Sequence, residues 1–267
     1  MPGARLLLAC LSALAMAAPA RAQSGPAASP FKYAVFGVER VVLEAHVRIE
    51  AGDVGANLGT VRLGPGTRVA GSAAAYSVRV APGVVARRLF CLFLDGPSKS
   101  FCRDVTIPLV TEALPLVQVL PGASEVRVPA RGFTAPLEPG AYGTVQVAAH
   151  GNLLFKGGRY DVRAMRLGPH ARVLCQTECD LAVGGRIRLG ADAAVRAAET
   201  AHPATLHVEV VGGSHGPAFR AGPGSTFSGV VYAPTSDVIL GAGGRYQGSF
   251  IGRRVLVRPG AHVRFGT

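Results

Sequence analysis

The chain has 267 residues, including 35 Gly and 19 Pro but no Trp, and turn formers at that density exclude an architecture of long helices. Its formal net charge of +12 invites an anionic partner, yet no helix-turn-helix or zinc-finger spacing is present, which excludes sequence-specific reading of nucleic acid. The arginines are scattered along short alternating segments, so they suit either a solvated surface or a sequence-blind contact with lipopolysaccharide, acidic polysaccharide or DNA.

Residues 1–22 read as an export signal. Arg5 supplies the positive start, residues 6–17 form a short apolar stretch, and Ala20-Arg21-Ala22 offers an A-x-A cleavage site. A lipobox at Leu7-Leu8-Ala9-Cys10 is the less favoured alternative, because few apolar residues precede that cysteine. Residues 23–30 form a polar, flexible leader. No later stretch reaches the roughly 20 consecutive apolar residues of a membrane-spanning helix, so a soluble protein is expected in the periplasm, at the cell surface or outside the cell.

From residue 31 onward one phrase recurs: alternating residues with apolar ends, a Gly/Pro-rich corner, and a further apolar residue. Val61-Arg62-Leu63-Gly64-Pro65-Gly66 leads to Val69, and Val78-Arg79-Val80-Ala81-Pro82-Gly83 leads to Val85. Met165-Arg166-Leu167-Gly168-Pro169-His170 leads to Val173, Ile187-Arg188-Leu189-Gly190-Ala191-Asp192 to Val195, and Phe219-Arg220-Ala221-Gly222-Pro223-Gly224 to Phe227. Two later copies lead to Tyr246 and Val263. The spacing of about 17–22 residues is that of a solenoid coil. Alternation turns Val, Leu or Ile inward and Arg outward, and a single coil cannot shield its apolar side without neighbours above and below.

The expected fold is therefore all-β, a parallel β-helix in one domain spanning 31–267, with a first stack at 31–90 and a second at 133–267. Residues 91–132, with Pro108, Pro115, Pro121 and Pro129, break the pattern as an irregular excursion. Cys91 and Cys102 flank Gly96-Pro97-Ser98 as a hairpin-closing disulfide would, and Cys175 and Cys179 are placed to close a tight loop. Metal binding by the second pair is disfavoured, since no further C-x-x-C or His pair completes a tetrahedral site. The final coil, 263–267, has no capping helix and is expected to expose strand edges for self-association.

The wording of several copies is similar to that of a known group. Leu167-Gly168-Pro169-His170-Ala171-Arg172-Val173, Ser228-Gly229-Val230-Val231-Tyr232-Ala233-Pro234 and the opening Tyr33-Ala34-Val35-Phe36 resemble exported bacterial β-helix proteins in the style of the bactofilins, which form polymers. The resemblance covers most of 31–267. It implies the fold and transfers no functional residue, and the export signal departs from the cytoplasmic bactofilins.

Catalytic machinery is not evident. Glu178 and Asp180 form the only close acidic pair, while Asp104, Asp161, Asp192 and Asp237 are isolated along the chain, although stacked coils could align such residues for a polysaccharide lyase or hydrolase. His202, His207 and Ser214-His215 form neither a metalloprotease motif nor a nucleophile elbow. Gly241-Ala242-Gly243-Gly244 lacks the ending of a phosphate loop. An ice-binding surface would need Thr-x-Thr ladders, and none occurs. The expectation is a structural or adhesive module without catalytic residue, cofactor or metal, touching anionic polymer through Arg62, Arg79, Arg166, Arg188 and Arg220.

Overall fold

The computed structural model describes residues 29–97, 101–111, 113–197, 206–212 and 216–266. The export segment 1–22, most of the leader, His202, Ser214 and His215 lie outside the described residues. What is described is a β-solenoid of about 11 turns, 56% strand and free of α-helix. Its 20 strands form one hydrogen-bonded network, and at a spacing of about 4.8 Å per coil the rod is about 50 Å long.

Each coil contributes to three parallel faces, in one coil 158–162 on the first, 165–167 on the second and Arg172–Cys175 on the third, and alternation decides what is buried. On the second face the strands Met165–Leu167, Ile187–Leu189 and Val238–Leu240 bury their first and last residues and expose or half-expose the middle one. Ile187, Phe219, Val238 and Val255 stack in register there, each nearly or fully shielded from water. Burying a side chain of this size contributes about 1.5–3 kcal/mol, and only neighbouring coils provide the cover.

Coil length stays close to the expected period over most of the rod. The pairing of Ala73 with Leu89 marks one of the shorter coils, and that of Val208 with Val231 one of the longer. The coil that brings Ile187 beside Phe219 is wider than either. The corners between the second and third faces carry a column of left-handed residues, among them Arg131, His150, His170 and Asp192, continued by Gly224, Gly243, Gly260, His46 and Gly66. Their backbone N–H groups donate to the carbonyl of the adjacent corner, as from His150 to Pro169 and from Gly224 to Ala242. At Gly66 a Cβ would fall 2.5 Å from the exposed His46 ring, so a larger residue there would have to displace that side chain as well as adopt a positive φ.

The order of coils along the rod is not the order along the chain. The strand Tyr33–Leu43 lies parallel to Arg245–Val257, with Val41 beside Val255 and Leu43 beside Val257. The next face repeats the junction: Ile49 pairs with Val263, and Gly260 N–H donates to the Ala45 carbonyl at 3.0 Å. The last coil is thus covered by the first, which corrects the expectation of an open edge at 263–267. Apolar complementarity continues unbroken, since Val255, Val41, Val61 and Val78 are consecutive rungs.

This permuted stacking forces the chain to travel back along the whole rod. The first stack extends to Asp95, and stacking resumes at the strand Val126–Val128. The excursion between them is a strap along the outside of the first face. Leu109 and Val110 are buried against Phe36, Ala74, Tyr232 and Ile251, residues that point out of the solenoid. Along the strap, Asn57 holds Val110, Tyr232 donates its hydroxyl to Pro115 at 2.8 Å, Arg159 donates to Gln118 at 3.1 Å, and Gly143 N–H donates to Ser124 at 2.7 Å.

Both disulfides are present, with Cα–Cα separations of 5.4 Å for Cys91–Cys102 and 6.2 Å for Cys175–Cys179. Cys175 ends the strand Arg172–Cys175 and Cys179 begins Cys179–Val183, so their bridge closes the tight corner between two faces. The hairpin expected at Cys91–Cys102 is corrected: Phe90 and Arg103 form a parallel bridge. The chain there takes one more step of the winding before entering the strap.

Candidate functional site

The five arginines singled out from sequence all project from the second face and are exposed. Arg166, Arg188 and Arg220 are adjacent in register on three successive coils. Beyond them the same column is apolar, through Ile239, Leu256 and Val42, and then resumes with Arg62 beside Arg79. Two arginine clusters therefore share one face, separated by three coils. Arg79 pairs with Asp95 at 3.6 Å. Arg62, Arg166, Arg188 and Arg220 have no ion pair among the described residues.

The third face carries a second cationic surface that the repeat phrase had not exposed. Its outward positions in register run Arg172, Ala194, Thr226, Arg245 and His262, with Leu174, Arg196, Ser228, Gln247 and Arg264 on the other edge of the same strands. Ala194, Thr226 and Ser228 are short while the coils on either side carry long side chains. The resulting depression holds two contiguous cavities of about 600 and 530 Å3, with Arg196 and Thr226 lining both. The signal was legible in principle: an arginine stands directly beside the apolar residue after most corners, as in Arg68-Val69, Arg172-Val173, Arg245-Tyr246 and Val263-Arg264.

On the first face, winding gathers acids that are far apart in sequence. Asp180 lies between Arg159 and His207, and Asp161 and Glu209 flank Ala182. Arg159 binds Asp161 at 3.2 Å, and that hydrogen bond raises the guanidinium further above its ordinary value, with Glu209 and Asp180 adding to the effect. Asp237 is held by Arg253 at 3.1 Å and Arg254 at 2.6 Å. Burial pushes its carboxyl up, but the hydrogen bonds and charges of Arg254 and Arg253 outweigh this and hold it below the ordinary carboxylate range. Asp192 faces His170 at 3.9 Å across a corner. Glu178 remains exposed beside the Cys175–Cys179 bridge. Among the described residues no cluster of His, Cys, Asp or Glu suits a metal ion, and no helix is long and apolar enough to cross a membrane.

Residues 141–266 match a family described as a domain of unknown function (DUF7305). The match covers just under half of the chain and coincides with the coils from Gly140–Val147 to His262–Arg264. The N-terminal coils and the strap lie outside it. Neither a curated protein nor a solved structure matches the chain.

Proposed function

We propose that the chain is an exported structural or adhesive β-solenoid that lays its second face along an extended anionic polymer of the cell surface. The reading rests on the ladder of Arg166, Arg188 and Arg220, three exposed guanidiniums one coil apart without acidic partners among the described residues. Guanidiniums suit carboxylates and phosphates through paired N–H donors. A rigid rod holds them at a fixed repeat, so a polymer can meet several at once. A role in catalysis is not favoured, since Asp161 and Asp237 are engaged by arginines.

The test is retention on immobilised lipopolysaccharide across a salt series. Screening shortens from about 10 Å at 0.1 M salt to about 3 Å at 1 M, so the protein is expected to elute as salt rises and R166Q/R188Q/R220Q to elute much earlier. Retention that ignores salt, or an unchanged triple variant, overturns the reading.

End-to-end self-assembly is a second reading, favoured by the junction at Leu43 and Val257, where coils distant in sequence stack in register. The edges available for it are those of Val85–Asp95 and Val126–Val128, the terminal strands of the rod. Val85 and Phe93 are 61% and 56% exposed at the first of these ends. Sedimentation showing only monomer at high concentration overturns it.

A further inference from the structure

We infer that the depression on the third face is a binding groove for an acidic polysaccharide, with a carboxylate-bearing sugar seated over Ala194, Thr226 and Ser228. This site lies on a different face from the ladder of Arg166, Arg188 and Arg220, and it stands or falls independently.

Shape comes first. Arg172, Ala194, Thr226 and Arg245 occupy one column on successive coils, so the two arginines stand about 14 Å apart along the rod with small residues between them. On the second face the gap between the two arginine clusters is filled by Ile239, Leu256 and Val42 and offers no hydroxyl or amide. A depression that long accepts a ring lying along the axis, with a charged side chain at each end.

Chemistry narrows the occupant. The floor offers the Thr226 and Ser228 hydroxyls, and the Asn152 and Gln247 amides lie further along the same cavities. Groups of this kind exchange hydrogen bonds with sugar hydroxyls. Arg172, Arg245 and Arg264 supply positive charge, and none has an ion pair among the described residues. The one acid lining the cavities, Glu50, lies 2.8 Å from His262, so the net field favours an anion. Phe133, 79% exposed, provides an apolar platform at one end with Leu154 and Leu174.

A single-stranded nucleic acid would need successive aromatic platforms for its bases. Among the described residues Phe133 is the one exposed aromatic along the groove, while Phe227 and Tyr246 point into the core. Hydroxyl and amide groups interleaved with guanidiniums match a polyuronate better than a stack of bases.

The experiment is calorimetric titration of the mature protein with alginate oligomers, alongside dextran as the neutral arm and oligothymidylate as the nucleic-acid arm. Alginate is expected to bind and dextran not. T226Y, which fills the floor without altering charge, and R172Q/R245Q are each expected to weaken alginate binding by about tenfold or more, with unchanged circular dichroism. R166Q/R188Q/R220Q reports separately on the second face, through its reduced retention on lipopolysaccharide. If both groove variants bind alginate as the parent does, or if oligothymidylate binds more tightly and is lost with them, the groove assignment is overturned. Loss of lipopolysaccharide retention in the triple variant alone would leave the ladder standing without it.

Discussion

The side-chain amide of Asn57 holds the backbone of Val110 from both sides: its Nδ2 donates to the Val110 carbonyl at 3.1 Å, and the Val110 N–H donates to its Oδ1 at 2.7 Å. One side chain thus does for the strap what a neighbouring strand does inside the solenoid. N57A removes both bonds and leaves two backbone groups without their partners in a partly buried site, so a loss of about 1–3 kcal/mol is expected. Thermal denaturation checks the size. Faster hydrogen exchange at Val110 checks the place, and unchanged exchange there would refute the role assigned to Asn57.

Tyr33 makes the opposite prediction. Its ring is fully buried, and its hydroxyl has no hydrogen-bond partner. Burial, with Asp53 adding to it, pushes the phenol above its ordinary value. Y33F keeps the ring contact with Phe36 and discards an unsatisfied polar atom, so the melting temperature is expected to stay level or rise. A clear fall would mean that the hydroxyl has a partner.

Asp237 sets a pH dependence whose sign is determined. Because Arg254 and Arg253 hold its carboxyl below the ordinary range in the folded state, the folded protein binds fewer protons there than the unfolded chain. The stabilisation is present above the unfolded carboxylate value of about 4 and is lost as pH falls through the lower folded value. D237N is expected to cost about 1–2 kcal/mol at neutral pH, less than a fully buried pair would because the arginines are partly in water. Urea midpoints for both proteins should converge as pH falls. A gap that stays constant with pH contradicts this account.

The two disulfides should differ in their contribution. Cys91–Cys102 spans 11 residues and Cys175–Cys179 spans 4, which on loop-closure entropy corresponds to about 3 and about 2 kcal/mol. C91S/C102S is therefore expected to lower the melting temperature more than C175S/C179S. Hydrogen exchange would show the first change loosening residues 103–111 of the strap, and an equal response throughout the rod would argue against a pinning role.

Winding was legible in the sequence because its causes are local. Gly-Pro-Gly after Val61-Arg62-Leu63 makes a corner whatever lies elsewhere, and alternation alone turns Val61 in and Arg62 out. Coil order was not legible. Val41 packs beside Val255 through apolar shape that Val61 or Val238 would satisfy equally well, so no residue advertises that neighbour. Phe36 and Tyr232 alternate out of the core and would be read as exposed; only the strap, whose Leu109 and Val110 resemble loop residues in a proline-rich stretch, explains their burial. The arginines at 62, 79, 166, 188 and 220 stood out because they repeat within the corner phrase. The third-face depression did not, since it is made by the smallness of Ala194, Thr226 and Ser228, and short side chains carry no distinctive pattern.

The pairing of Tyr33–Leu43 with Arg245–Val257 has a kinetic consequence. The first of these strands is synthesised long before the second, so its pairing must wait until nearly the whole chain has been made. Contacts of such long sequence separation close late and slowly. Any state in which the first coils have formed without Arg245–Val257 carries an unpaired edge and an uncovered apolar end, the kind of surface that favours aggregation.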